Sequence, residues 1–457
     1  MAGHGFSFKP VKVPKVNTKH RRIATSLPVP QSLPLLRKIE KYETRAMHGQ
    51  LPIVWKKALG FSVEDFWGNK WIDFTSTIFV TNSGHGNRKI IAELKKQISS
   101  PLLHTYTFAS EIRAKYLELL IRSTPGQFEK AFLLSAGTEA TECALKLMRL
   151  NASKTGKRRP GIIGFEGNWH GRTMGAQMMS YNPAQKEWIG FQDPNIFHLP
   201  FPYPWRKEAM QNPRGYFRKG INQLMKEKGL LPKKDICGFM IETFQGWGAV
   251  FYPMEFMKEL ERFARENGIL IAFDEMQSGF GRTGKLFGYM NYGIEPDLLC
   301  CGKGASSSLP LSIVLGSKEI MDLPDIGSMS STHSANPLSC AAGYGNLKSL
   351  FEDNLIRKSE GLGRLFHHEL DKIKGRFPEH LAYINGKGLL AGLVFWDKKG
   401  NPLSSLCDRI AELCMQRGLL VVHTGRESIK LAPPLCITKA ALHEGLEVLE
   451  SSIRDSI

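Results

Sequence analysis

Short apolar runs alternate with longer amphipathic stretches from about residue 90 onward. The amphipathic stretches, such as "PMEFMKELERFAREN", carry apolar residues at helical spacing. The apolar runs are "KAFLLSAG" (130–137), "GIIGFEG" (161–167), "ICGFMIETF" (236–244), "GILIAFDE" (268–275) and "LLCCGKG" (298–304). Such runs are typical of strands that are buried on both faces of a parallel sheet. The alternation therefore predicts an α/β domain with a mainly parallel sheet flanked by helices.

The pattern changes on both sides of this region and predicts a second, smaller domain. After about residue 345 the chain reads as helices and short strands, and "FSVEDFWGNKWIDF" predicts a hairpin around Gly68-Asn69. We predict a large domain over 91–345 and a smaller α+β domain built from 41–90 and 346–457. A basic, extended arm over 1–40 precedes them.

The composition excludes several classes of protein. The chain has 457 residues, of which 42% are apolar and 23% charged, as in ordinary soluble globular proteins. No stretch approaches the roughly 20 apolar residues of a membrane-spanning helix, and the N-terminus lacks the apolar segment of a secretory signal. The eight cysteines form no C-x-x-C pair, which argues against disulfides and a zinc site and favours a reducing compartment. We expect a cytoplasmic protein with no membrane segment and no metal.

The formal net charge of +18 raises the question of an anionic partner. Nucleic-acid binding is one interpretation, because basic surfaces neutralise phosphates. The basic residues are scattered, however, apart from the arm and short groups such as "KTGKRR" (154–159), and no nucleic-acid motif accompanies them. We expect no nucleic-acid partner and attribute the excess charge to attraction of an anionic cofactor or substrate.

Polar residues end four of the apolar runs. Glu242, Asp274 and Lys303 stand at or just beyond predicted strand ends, and a small-residue turn (135–138) leads into a predicted helix. An acid at a strand end commonly caps a helix or faces water. Because the carboxyl ends of parallel strands share one edge of the sheet, where ligands bind, these residues together predict a site.

The residue types at this edge match the needs of pyridoxal 5'-phosphate. Gly137 and Thr138 at a helix N-terminus offer backbone N–H groups and a hydroxyl to a phosphate. Asp274 suits the pyridine nitrogen, and Lys303 suits a Schiff base with the aldehyde. The glycines on both sides of Lys303 let the backbone bend and leave room for the ring.

Four stretches in a fixed order resemble the class III aminotransferases, pyridoxal-phosphate-dependent enzymes of fold type I. The resemblance runs from about residue 40 to the C-terminus, and its stretches are "SAGTEATECALKLMR", "GFEGNWHGRTMGA", "LIAFDEMQSGFGRTGKLFG" followed by "PDLLCCGKG", and "STHSANPLSCAA". It implies an enzyme that moves an amino group from a primary amine or amino acid to a 2-oxo acid. The implied mechanism is ping-pong, through a Lys303 aldimine.

The resemblance also implies roles for matching residues. Lys303 forms the aldimine and, once freed, moves the proton between substrate and cofactor, while Asp274 pairs with the pyridinium nitrogen. Gly137 and Thr138 hold the phosphate. Thr332 reaches the phosphate of the neighbouring subunit's cofactor, which implies a homodimer with shared active sites.

Four further residues are implied to surround the cofactor ring. Trp169 stacks on one ring face and Met276 packs on the other. Gln277 hydrogen-bonds the ring hydroxyl, and Glu242 supports that polar network, its alternative being a structural acid.

Two positions depart from the commonest family pattern, and both concern the substrate. Lys430 stands where many relatives carry an arginine that binds the α-carboxylate, and lysine cannot form the bidentate pair. Trp247 stands where several relatives have a glutamate that masks that arginine. Arg426 is a candidate replacement, and Trp247 favours a bulky or flat amine.

Two alternatives stay open at this point. The first keeps fold and cofactor but makes the protein an amino-acid racemase, epimerase or decarboxylase, which would turn over without a 2-oxo acid acceptor. The second is a nucleic-acid-binding or scaffolding protein with an inactive fold. It predicts loss of Lys303 or Asp274, and both are present.

Overall fold

The computed structural model describes residues 6–457, so the first five residues of the predicted arm lie outside the described residues. The chain forms two compact units. We call residues 88–246 and 250–356 the core unit, and residues 6–87, 247–249 and 357–457 the terminal unit.

The strands and helices are numbered in chain order. The strands are β1 (Val16–Asn17), β2 (Arg22–Ile23), β3 (Lys57–Leu59), β4 (Ser62–Glu64), β5 (Lys70–Asp73), β6 (Lys130–Leu134), β7 (Gly161–Phe165), β8 (Ile196–Leu199), β9 (Ile236–Glu242), β10 (Phe244–Gln245), β11 (Val250–Phe251), β12 (Leu270–Asp274), β13 (Leu298–Cys301), β14 (Ser312–Gly316), β15 (Leu381–Gly386), β16 (Ala391–Phe395), β17 (Leu419–Leu420), β18 (Val422–His423) and β19 (Ser428–Leu431). The helical segments are α1 (Leu33–Tyr42), α2 (Ser76–Phe79), α3 (Arg88–Ser99), α4 (Glu111–Ser123), α5 (Gly137–Lys154), α6 (Met174–Met179), α7 (Lys207–Gln211), α8 (Pro213–Lys228), α9 (Pro232–Asp235), α10 (Met254–Glu266), α11 (Lys318–Met321), α12 (Pro337–Glu352), α13 (Leu355–Arg376), α14 (Ser404–Gln416) and α15 (Lys439–Arg454).

A seven-stranded sheet in the order β6-β14-β13-β12-β9-β7-β8 forms the centre of the core unit. Only β14 within this sheet runs antiparallel to its neighbours, β13 and β6. Every residue of β7, β9 and β13 is buried, which explains why these strands read as unbroken apolar runs. All five predicted strands are confirmed.

Register brings the strand ends of this sheet into line. In the parallel pair β9–β12, Asp274 lies opposite Glu242, and in the pair β12–β13 it lies opposite Cys300. Helix α5 follows β6 and packs its apolar face on the sheet through Ala144 and Met148, one turn apart. The polar residues predicted at the carboxyl ends of β9 and β12 therefore come from neighbouring strands.

The terminal unit contains two smaller sheets. One has the order β1-β2-β5-β4-β3, with β17 paired to β5, and the other has the order β15-β16-β19-β18. The predicted hairpin is confirmed, since β4 and β5 pair antiparallel and Gly68 has a φ of +87° in the turn. The predicted fold class, an α/β domain plus a smaller α+β domain from both termini, is confirmed.

The N-terminal segment packs into the terminal unit. Ile23, Leu27 and Val29 are buried in one cluster with Trp71 and Met415. Arg21 Nε donates to Glu444 Oε1 at 2.8 Å. The predicted extended conformation over 1–40 is wrong for its last part, because α1 begins at Leu33. Proline in the first turn and good helix formers thereafter favour that helix.

Within residues 6–457, no helix is both long and apolar enough to cross a membrane. In the same part of the chain, His, Cys, Asp and Glu side chains form no group of three that could hold a metal ion.

Candidate active site

A cavity of about 380 Å³ opens in the core unit beyond the carboxyl ends of β9, β12 and β13. Ten of its fifteen lining residues matter for its chemistry: Gly137, Thr138, Trp169, His170, Arg172, Glu242, Asp274, Met276, Gln277 and Lys303. The cavity therefore brings together eight of the residues that the sequence predicts for the cofactor, and adds His170 and Arg172.

Lys303 begins a short 3-10 helix (Lys303–Ala305) two residues after β13. Its φ of +44° lies in the left-handed region, which is costly for a residue with a side chain and is found most often at functional sites. Desolvation lowers the pKa of Lys303, and the negative charges of Asp274 and Glu242 oppose that shift without cancelling it. The amine is therefore easier to deprotonate than an exposed lysine.

Asp274 is held by two hydrogen bonds. Its Oδ2 lies 3.0 Å from His170 Nδ1, and its Oδ1 accepts a hydrogen bond of 3.0 Å from Met276 N. Asn168 Nδ2 lies 2.8 Å from His170 Nε2. Because an amide nitrogen can only donate, Nε2 must accept, and His170 carries its proton on Nδ1 and donates it to Asp274. The imidazole thus keeps this carboxylate oriented.

The backbone around His170 is fixed as well. Its N–H donates to Ser180 Oγ at 2.9 Å, and its carbonyl accepts from Thr141 Oγ1 at 2.8 Å. His170 was not among the residues predicted from the sequence. The available signal was its place directly after Trp169 in the "WHGRT" motif.

Glu242 supports the segment that carries the aromatic residue of the cavity. Its Oε2 accepts a hydrogen bond of 3.0 Å from Trp169 N. A Cβ at Gly246 would lie only 2.6 Å from Gln277 Nε2 and 2.8 Å from Glu242 Oε1, so both polar side chains cover this glycine. Glu242 and Gln277 therefore lie side by side.

The first turn of α5 forms another wall of the cavity. Glu139 accepts hydrogen bonds from Ser135 N at 2.9 Å and Ala136 N at 2.7 Å, which fixes the turn that enters the helix. Thr138 Oγ1 lies 2.6 Å from Thr173 Oγ1. Gly137 and Thr138 occupy the positions where a helix binds an anion.

Arg172 contributes an exposed cation to the cavity. Its guanidinium carbon lies 4.8 Å from the centre of the Trp169 ring, so the indole supports the guanidinium. Arg172 was not among the residues predicted from the sequence either. The signal was again the "WHGRT" motif, where an arginine follows the aromatic residue at short range.

The three residues predicted for the substrate belong to the terminal unit. The guanidinium carbon of Arg426 lies 4.2 Å from the centre of the Trp247 ring, so the structure brings these two together. Lys430 is buried in β19, and its Nζ lies 4.5 Å from the centre of the Phe79 ring.

Thr332, predicted to serve a neighbouring subunit, is exposed in the core unit. Its carbonyl accepts a hydrogen bond of 2.8 Å from His104 Nε2.

The residues present match the groups of pyridoxal 5'-phosphate. The cavity combines a helix N-terminus for the phosphate, an oriented carboxylate for the ring nitrogen and a desolvated amine for the aldehyde. Met276 Sδ would lie 2.9 Å from a Cβ at Gly137, so the loop after β12 and the start of α5 approach closely around this volume.

Comparisons with known proteins agree with this chemistry. The family described as class-III aminotransferase matches residues 44–453. The alanine/serine racemase of Pyrococcus horikoshii is 30% identical over 99% of this chain and 96% of its own length. The 2-aminoadipate transaminase of Pseudomonas putida is 34% identical over 88% of this chain and 96% of its own length. The crystal structure of a Bacillus anthracis aminotransferase superimposes with a TM-score of 0.85 and 26% identity, over 93% of this chain and 99% of that one.

Proposed function

The chain belongs to the class-III aminotransferase family, and from this premise we propose which residues carry its reaction and which substrates it takes. The protein is an enzyme that uses pyridoxal 5'-phosphate to move an amino group from an amine or amino acid to a 2-oxo acid. When bound, the cofactor supplies an aldehyde that takes up the amino group and a ring that withdraws electrons.

Lys303 is the residue that holds the cofactor and moves the proton at the reacting carbon. The observation that carries this proposal is the desolvated amine of Lys303 in the same cavity as the Asp274–His170 pair. Because burial lowers the pKa of Lys303, its Nζ gives up its proton more readily than an exposed lysine does and can then accept a proton and return it. Asp274 would pair with the ring nitrogen of the bound cofactor and favour its protonated form.

The other cavity residues position the cofactor. Gly137 and Thr138 bind its phosphate, which is supported by their place in the first turn of α5. Trp169 and Met276 enclose the ring, while Gln277 bonds the ring hydroxyl. The support for these roles is that all of them line one cavity.

Glu242 acts by holding the segment of Trp169, through the hydrogen bond to its backbone N–H. Thr332 serves the phosphate of a neighbouring subunit, and its exposed position is compatible with this role.

The substrate carries a carboxylate that Arg172 binds. A guanidinium is always charged and pairs with carboxylates in a bidentate way, and Trp169 holds this one at the cavity. Trp247, Arg426 and Lys430 of the terminal unit are proposed to recognise the substrate. The ordered stacking of Arg426 on Trp247 supports a role for both in recognising the donor.

We propose a cytoplasmic homodimer with shared active sites. Free cysteines at all eight positions are compatible with a reducing compartment. Exposed apolar side chains on the loop whose His104 bonds Thr332, including Leu103 and Phe108, offer a surface for a second copy.

A transfer assay tests the function. The purified protein is incubated with each of a panel of amines and amino acids, together with pyruvate or 2-oxoglutarate, and the new amino acid formed from the 2-oxo acid is quantified. We expect formation that requires both partners and is lost in K303A. Turnover of an amino acid without an acceptor would instead favour the racemase alternative, an activity named for the Pyrococcus horikoshii relative.

A further inference from the structure

Glu275 has a fully buried side chain whose two carboxylate oxygens each accept two hydrogen bonds. Oε1 accepts from Thr243 Oγ1 and from Tyr289 N, both at 2.6 Å. Oε2 accepts from Ser278 Oγ at 2.6 Å and from Gly288 N at 2.7 Å. The carboxylate therefore ties together three separate segments of the core unit.

The bond to Thr243 joins the ends of two neighbouring strands. Asp274 at the end of β12 lies opposite Glu242 at the end of β9, and Glu275 and Thr243 directly follow the two strands. The hydrogen bond between the Thr243 and Glu275 side chains therefore links the two strands one residue beyond Glu242 and Asp274, the two carboxylates of the cavity. In addition, Glu275 N donates to Cys300 O at 2.8 Å, which extends the ladder to the strand that leads to Lys303.

The remaining bonds fix the loop after β12. Ser278 belongs to the same short segment as Met276 and Gln277, while Gly288 and Tyr289 lie at the far end of the loop. Glu275 therefore sets where this loop starts and ends, although its own side chain does not line the cavity.

Burying a carboxyl group is unfavourable unless hydrogen bonds compensate it. Desolvation raises the pKa of Glu275, and the four hydrogen bonds oppose that shift. Hydroxyl donors can rotate to suit a changed partner, but the N–H groups of Gly288 and Tyr289 cannot, and each points at a different oxygen. Glutamine has one oxygen, so it leaves one of these N–H groups without an acceptor.

We propose that Glu275 is a positioning residue for the cofactor site. It holds Asp274 and Glu242 at their mutual spacing and orients the segment of Met276 and Gln277, without touching the cofactor itself. This role rests on the proposed function, because the residues it positions are those proposed to surround pyridoxal 5'-phosphate.

The test compares E275Q with E259Q. Glu259 is also buried in the core unit and accepts a hydrogen bond of 2.7 Å from Arg218 Nε, but it does not line the cavity. Thermal unfolding of the cofactor-free proteins measures the loss of stability. Titration with pyridoxal 5'-phosphate gives its dissociation constant, and visible-region circular dichroism reports the asymmetry around the bound ring.

We expect E275Q to bind pyridoxal 5'-phosphate at least tenfold more weakly and with an altered dichroism band. E259Q should lose stability while keeping the wild-type band and affinity. If E275Q does not fold, T243V takes its place and should show the same changes in weaker form. If E275Q keeps the wild-type affinity for pyridoxal 5'-phosphate and the wild-type dichroism band, or if E259Q shows the same changes as E275Q, the positioning role is overturned. A wild-type protein that binds no pyridoxal 5'-phosphate would instead overturn the proposed function itself.

Discussion

At the scale of single residues, the cavity holds two cations of different character. The ammonium of Lys303 is desolvated, and its pKa is lowered, so it can exchange a proton. The guanidinium of Arg172 is exposed and stays charged at any physiological pH. A cation that can lose its proton suits catalysis, and one that cannot suits binding. In the proposed function, Lys303 therefore carries the chemistry and Arg172 the recognition of the substrate.

Replacing Arg172 by glutamine should reduce selectivity for carboxylated donors. A hydrogen bond to a charged group contributes about 1.5–3 kcal/mol, so we expect kcat/KM for a carboxylated donor to fall by roughly one to two orders of magnitude relative to a carboxyl-free amine. Steady-state kinetics with one donor of each kind measures this ratio.

R172K provides a graded comparison, because it keeps the charge but loses the planar group over Trp169. R122Q is the matched control, since Arg122 is exposed on α4 and pairs with Glu118 one turn away. A ratio that is the same in R172Q and R122Q would contradict the role of Arg172.

The residue scale also shows what the sequence could and could not predict. Lys303 and Asp274 were predicted because each ends an apolar run where a core residue is expected. The contact between His170 and Asp274 could not be predicted, because these residues are 104 positions apart in the sequence. Such a contact depends on how two distant segments pack in the fold, and a local sequence pattern does not predict it.

At the scale of elements, the start of α5 and the loop after β12 meet closely. Met276 Sδ would lie 2.9 Å from a Cβ at Gly137 and 2.5 Å from a Cβ at Gly302. The Met276 thioether therefore occupies space that is open because Gly137 and Gly302 have no side chains. This contact makes the first turn of α5 dependent on Met276.

G137A should weaken cofactor binding through this contact. Overpacking costs about 1–3 kcal/mol, so we expect the dissociation constant for pyridoxal 5'-phosphate to rise roughly 5- to 150-fold, measured by titration. Because Met276 is flexible, M276A should reduce the penalty when the two changes are combined, and a double-mutant cycle measures that coupling. G126A is the control, since no atom lies within 4 Å of a Cβ there. Additive effects of G137A and M276A would rule out the steric explanation.

Strands were predicted correctly from the sequence where both faces of the strand are buried, because such a strand is an unbroken run of apolar residues. β7, β9 and β13 are apolar throughout and were assigned correctly. β14 was not assigned, although it is equally buried, because its run follows a turn rich in serine and proline. Its antiparallel direction depends on pairing with β6 and β13, which apolar periodicity does not encode.

At the scale of the whole molecule, two loops of the core unit expose apolar side chains around Thr332. His104 Nε2 bonds the carbonyl of Thr332 at 2.8 Å, and Tyr106 OH donates to Ser330 Oγ at 3.0 Å, so the loops form one surface. Phe108 is 78% exposed on this surface. Leu102, Leu103 and Tyr106 of the same loop are exposed as well, and grouped apolar side chains of this kind mark interaction sites.

F108D should weaken the proposed dimer and favour single chains. A central aromatic residue of an interface contributes about 2–4 kcal/mol, so the dimer dissociation constant should rise by roughly 30- to 1,000-fold, which sedimentation velocity over a concentration series measures. The cofactor should also bind more weakly, because Thr332 is proposed to reach the neighbouring site. L231D is the control, since Leu231 is 51% exposed but lies in the segment that precedes β9, outside the two loops around Thr332. If F108D and the wild type dimerise equally, this surface is not the interface, and the shared-site role of Thr332 loses its support.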